Sequence, residues 1–195
     1  MDTDSLLQSV IRLFKLLQER RVDYVLVGGV ALLSYVRGRN TQDLDLILAL
    51  DDLKRLPEIQ VTYHDIYFAR GQFQALQIDL LLTRNPLFDI VRRKYETVQH
   101  YQEQDIPTAT VEGLILLKLY ALPSLYRQGN FAQVGIYEND IATLMNDYQP
   151  TLEPLFEELA PHLSDSDLVS LREIVAEIQR RIERFRKGLS QNGGE

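Results

Sequence analysis

The sequence predicts an α+β protein: a small mixed β-sheet with flanking helices, followed by a C-terminal helical bundle. Three observations predict it. Asp43 to Leu50 alternates, with Leu44, Leu46 and Leu48 on one face and Asp43, Asp45 and Ile47 on the other, the period of a strand with a buried side. Gln74 to Thr83 repeats this, with Leu76, Ile78, Leu80 and Leu82 opposite Gln77, Asp79 and Leu81. From about Pro107 the pattern turns helical. The chain therefore divides into residues 1–107, a helical half over 108–189, and a polar, Gly-rich tail over 190–195 that is expected to be disordered.

The elements follow in order. Leu6, Leu7, Val10, Leu13, Phe14 and Leu17 have amphipathic helix spacing, which predicts a helix over 5–20 capped by Thr3 or Asp4. Tyr24–Val27 is a short apolar run rich in β-formers, hence a buried strand. Gly28-Gly29 breaks it, and Val30 to Val36 reads as a helix before the polar turn Gly38-Arg39-Asn40-Thr41. Val61–Ala69 holds one or two strands. Helices fit Val111–Leu122, Tyr137–Asn146 and Leu152–Leu159. The last begins near Ser164, where Ser164 and Asp167 form a capping-box-like start. Leu168, Leu171, Val175, Ile178, Ile182, Phe185 and Leu189 then step by three and four, a heptad seam expected to pack within the helical half, with a coiled-coil dimer as the alternative.

Composition removes several function classes. The 195 residues contain no cysteine, which excludes a disulfide framework, a thiolate metal site and a cysteine nucleophile. The net charge of −7 argues against a general nucleic-acid coat. No apolar run reaches the roughly 18 residues of a membrane span, and the acidic start lacks a signal-peptide n-region. A soluble cytoplasmic protein is expected. His64, His100 and His162 are scattered without metal-ligand spacing. The basic run Arg180–Lys187 has two readings, a response to the helix dipole or an RNA-backbone contact.

Three features carry chemistry. Gly28-Gly29 lies between a strand and a helix. Glycine lets backbone approach a ligand closely, and the helix start offers N–H groups to an anion; an ordinary turn has the same composition. Asp43 and Asp45 are two apart on a strand and project to one face, roughly 6–7 Å apart at Cα. Such a pair repels unless a cation neutralises it; a solvated edge strand is the plain alternative. Asp79 sits inside an apolar strand, which is costly unless it is paired or metal-bound. If the two strands are neighbours, three carboxylates converge and suit one or two Mg²⁺. A salt bridge, for instance to Arg39, is the other option.

The order Gly28-Gly29, thirteen residues, Asp43-Leu44-Asp45, then a strand Asp79 resembles the DNA polymerase β-like nucleotidyltransferase superfamily. Within it, Val27-Gly28-Gly29-Val30-Ala31-Leu32 and Arg39-Asn40-Thr41-Gln42-Asp43-Leu44-Asp45-Leu46 resemble the nucleotidyltransferase-type toxins of abortive-infection systems. The match covers mainly residues 22–83. A weaker echo joins Pro107-Thr108, Glu112-Gly113-Leu114 and Leu117-Lys118-Leu119-Tyr120-Ala121, similar to the lysine-bearing helix of those toxins. The resemblance implies a nucleotidyltransferase core over 1–107. It implies that Gly28 and Gly29 bind the triphosphate, Asp43 and Asp45 hold Mg²⁺, Asp79 is a third ligand or activates the acceptor hydroxyl, and Lys118 contacts a phosphate. Arg39 and Thr41, just before the acidic strand, are candidates to orient a carboxylate or touch a phosphate. There is one departure. The toxins carry two aspartates three apart after the lysine helix; Asp140 matches the second, but Tyr137 stands at the first.

The expected activity is Mg²⁺-dependent transfer of a nucleoside monophosphate from an NTP to a hydroxyl on a tRNA end, a protein or a small molecule. A toxin role, with a partner protein from the same operon, belongs to this expectation. The alternative is a catalytically degenerate binding module, an antitoxin or scaffold acting through its helical half.

Overall fold

A computed structural model describes residues 3–36, 43–101 and 104–192. The apolar run Tyr24–Val27 forms β1, buried along its whole length. β2 (Asp43–Leu48) lies antiparallel to β1, and β5 (Leu76–Leu82) lies parallel to β2. Beyond β5 come β4 (Phe68–Phe73) and then β3 (Gln60–His64), both joined antiparallel. On the other side β7 (Gln104–Ala109) runs parallel to β1, and β6 (Glu96–Tyr101) closes the sheet antiparallel to β7. The mixed seven-stranded order is β3-β4-β5-β2-β1-β7-β6. The alternating leucines of β2 and β5 are buried as their period requires, and Ile47 is buried as well.

Helices cover this sheet. α1 (Thr3–Glu19) buries Leu13, Phe14 and Leu17, and Phe14 stacks on Tyr24 with ring centroids 5.9 Å apart. α2 is short, Gly28–Leu32, and hydrogen-bonded turns carry the chain on to Val36, where the sequence predicts a longer helix. α3 (Leu50–Leu53) is a single turn. α4 (Pro86–Lys94) starts at Asn85, whose side chain accepts from the Leu87 N–H. Pro86 at the first helical position loses no hydrogen bond that the helix needs.

The chain forms two compact units, Met1–Leu114 and Ile115–Glu195. The first includes β7, which pairs with β1 and β6. α5 (Val111–Arg127) continues through Pro123, where the sequence reading stops it at Leu122. Leu122 and Pro123 are both buried, so packing outweighs the single N–H that proline removes. In the second unit follow α6 (Phe131–Tyr148), α7 (Glu153–Leu159), a 3₁₀ turn (Ala160–His162) and α8 (Asp165–Asn192). Ser164 caps α8, its Oγ accepting from the Asp167 N–H at 3.2 Å. The heptad seam is buried at Leu171, Val175 and Ile178 and emerges at Phe185, which is 66% exposed. α8 also reaches Asn192, so residues 190–192 are helix where a disordered tail is expected. No helix among the described residues is long and apolar enough to cross a membrane.

Candidate active site

Strand register assembles the site. β2 and β5 run parallel, so Asp45 faces Asp79 across the ladder and Asp43 faces Gln77. β4 and β5 form a hairpin that sets Arg70 opposite Asp79. Partners across a ladder project to the same face. Arg70, Asp79 and Asp45 therefore form a row across β4, β5 and β2, at strand spacings of about 4.7–4.9 Å. Asp43 lies one step along β2 on that face. Asp43 is exposed, Asp45 half-buried, and the Asp79 side chain 13% exposed. Ile47, next on the same face of β2, is buried, so the face is open toward Asp43 and closed toward Ile47.

β1 brings the glycine turn against this row. Val27 pairs with Asp45, and the chain then turns at Gly28 with φ +64°. A Cβ on Gly28 would lie 1.9 Å from Oδ2 of Asp45, 2.4 Å from its Cγ and 2.7 Å from its Cβ. Glycine is needed here for both conformation and space. The close approach read from the sequence is thus made first of all to a carboxylate of the site itself.

Arg70 is the residue that sequence reasoning missed. Its Nε donates to Oδ1 of Asp79 and its Nη2 to Oδ2, both at 2.7 Å. This is the bidentate fork that guanidinium and carboxylate form best. The hydrogen bonds to Asp79 raise the Arg70 pKa first; burial opposes them, and the charges of Asp79, Asp43 and Asp45 add to the rise. A findable signal existed. A two-residue turn at Gln74-Ala75 pairs Phe73 with Leu76, and counting outward brings Arg70 to Asp79.

The donor chemistry of this face can be tested against a divalent cation. Asp43 and Asp45 offer hard oxygen donors on one face, as Mg²⁺ prefers, with water and phosphate oxygens left to complete the shell. Asp79 also lies on this face, with one hydrogen bond from Arg70 on each of its oxygens. Among the described residues no three His, Cys, Asp or Glu side chains group so as to hold a metal ion. Asp43 and Asp45 thus share one face with an Asp79 that is ion-paired to Arg70. The alternative partner named for Asp79, Arg39, lies outside the described residues, as does Thr41.

No family model matches the chain, and no curated protein matches it by sequence. Solved structures do. An antigenic nucleotidyltransferase-like protein from Paracoccidioides brasiliensis is similar with a TM-score of 0.56 and 18% identity, over 89% of this chain and 94% of that one. ANT(2'')-Ia in complex with adenylyl-2''-tobramycin is similar with a TM-score of 0.56 and 10% identity, over 88% of this chain and 98% of that one. The fold is that of the nucleotidyltransferases.

In this nucleotidyltransferase fold Lys118 belongs to the second unit. Its Nζ donates to Oδ2 of Asp140 at 2.7 Å, and the two side chains are 6% and 7% exposed. The same ammonium lies 4.4 Å from the ring centroid of Tyr137. Asp140 and Tyr137 both come from α6, three residues apart, so one helix face supplies an anion and a π-face to one cation. Tyr137, the departure noted in the sequence, is an aromatic partner of the lysine.

Proposed function

We propose that the chain is a Mg²⁺-dependent nucleotidyltransferase that moves a nucleoside monophosphate from an NTP to a hydroxyl acceptor. The observation that carries this reading is the contact of Gly28 with Asp45, within a row of acids on a nucleotidyltransferase fold. In the reaction the acceptor hydroxyl oxygen forms a bond to the α-phosphorus and gives its proton to a carboxylate of the site or to solvent. The bond from that phosphorus to its bridging oxygen breaks, and pyrophosphate leaves. Mg²⁺, when bound, supplies charge neutralisation on the phosphates.

The chain's own residues do the rest. Asp43 and Asp45 hold the cation from one face of β2. The turn at Gly28 and Gly29 lets backbone approach the triphosphate without a side chain between them. Asp79 serves as ligand or base only after parting from Arg70. Lys118 is the candidate for a phosphate contact, with one of its three ammonium donors engaged by Asp140. Positioning and charge neutralisation are the main needs of phosphoryl-type transfer, and these residue types meet them. The acceptor is a tRNA end, a protein or a small molecule. The adenylylated tobramycin bound to ANT(2'')-Ia supports the small-molecule class, while the toxin resemblance supports tRNA or protein.

The test is an NTP-labelling screen. Purified protein, Mg²⁺ and each labelled NTP are incubated with tRNA, cell protein or aminoglycosides. Wild type should label one class, and Asp43→Ala/Asp45→Ala should label none. Equal labelling by both proteins would sink the reading and leave the binding module, whose partner would co-purify regardless of those acids.

A further inference from the structure

We propose that Arg70, seated on Asp79, binds the phosphates of the donor and acts as a fixed positive charge beside the cation held by Asp43 and Asp45. This rests on the nucleotidyl-transfer reading and assigns a residue that the reading lacks. Asp79 is then the seat of an arginine rather than a metal ligand.

Four observations carry it. First, the fork from Asp79 takes Nε and Nη2, so the guanidinium is held in one plane and its Nη1 side points away from the carboxylate. Second, the Arg70 side chain is 46% exposed while Asp79 is 13% exposed, so the cation caps the acid and meets solvent on the acidic face. Third, the Phe68 ring flanks the guanidinium, 5.7 Å from its carbon to the ring centroid, and limits its swing. Fourth, the row places Arg70 two strands from Asp45 on the same face. A planar, permanently charged donor group suits phosphate oxygens better than any other side chain.

Two bindings are measured on the full chain. Mn²⁺ is titrated alone and followed by the electron paramagnetic resonance of the free ion. ATP and inorganic tripolyphosphate are titrated with Mg²⁺ by calorimetry. Wild type should bind one Mn²⁺. Arg70→Gln should weaken ATP and tripolyphosphate about tenfold or more, from the loss of charged hydrogen bonds, while Mn²⁺ binding holds or tightens because a nearby positive charge is gone. General damage to the site would weaken both. Asp79→Asn should weaken Mn²⁺ by no more than about tenfold, a shift of about 1.4 kcal/mol from the loss of one neighbouring negative charge, whereas Asp43→Asn should abolish binding.

Unchanged ATP and tripolyphosphate affinity in Arg70→Gln overturns the inference alone. So does loss of Mn²⁺ binding in Asp79→Asn, which would make Asp79 a ligand. Should Arg70→Gln fail to fold by circular dichroism, Arg70→Met keeps the aliphatic stem over Phe68 and is judged by the same criterion. A wild type that binds neither ATP nor tripolyphosphate overturns the transfer reading and this inference together.

Discussion

A Cβ atom at position 28 cannot coexist with the carboxylate of Asp45 as it stands, since the collision includes Cγ and Cβ as well as the flexible end. Gly28→Ala must therefore push the Asp45 side chain, and it also places a non-glycine residue at φ +64°. The backbone part costs about 1–2 kcal/mol. The expected outcome is an unfolding free energy, extrapolated from urea, lower by at least that amount, together with loss of Mn²⁺ binding. Gly28→Ala that keeps full Mn²⁺ affinity would show that the contact does not govern the site. The sequence makes the glycine legible as a turn residue, and the acids legible as a same-face pair. It does not show that the glycine and one acid touch, because that depends on the antiparallel register of β1 with β2.

At the scale of elements, the buried pair between α5 and α6 decides how Lys118 should be tested. Removing one partner leaves an uncompensated buried charge, which costs about 3–5 kcal/mol. Lys118→Met should lower the melting temperature sharply, and Lys118→Met/Asp140→Leu should recover most of the loss. A single variant as stable as wild type would contradict the structural role of the pair. Any activity lost in Lys118→Met must accordingly be judged beside its melting curve. The elements with clean periodicity, α1, β1, β2, β5 and α8, are legible in the sequence. α4 and the β6–β7 hairpin are not. β6 is largely exposed and reads Glu-Thr-Val-Gln-His-Tyr, with little apolar contrast, while Pro107 breaks the look of β7. For α4 the missed signal is Asn85-Pro86, a cap followed by a first-turn proline. Arg70 escaped because its significance comes from pairing with β5, and no periodicity within β4 displays a partner.

At the scale of the whole molecule, ion pairs set the response to acid. The Arg20 hydrogen bond holds Glu58 below the usual carboxylate range, and the Arg172 hydrogen bond does so for Glu153. At Asp89 burial pushes upward, but the hydrogen bonds from Arg92 and Arg93 outweigh it and the value falls. Groups with lowered folded values contribute stability that is complete above the unfolded pKa, about 4, and that is lost as pH falls through the folded values. Glu96 runs the other way: burial, then Asp23, raises it, so its ionisation above that value weakens the fold and its protonation relieves it. The lowered group is larger but mostly exposed, so each member contributes little. The melting temperature should be level from about pH 7 to 5 and decline below about pH 4. A rise on acidification would mean that Glu96 dominates. The contact between Gly28 and Asp45 has a last consequence, for descent. A lineage that keeps this sheet but discards the acid removes the collision at position 28 and leaves only the strain of a positive φ, while one that keeps the acid faces both. Across chains of this fold, a side chain at residue 28 should then be rare, and where it occurs it should mark a molecule that has given up its acid at residue 45.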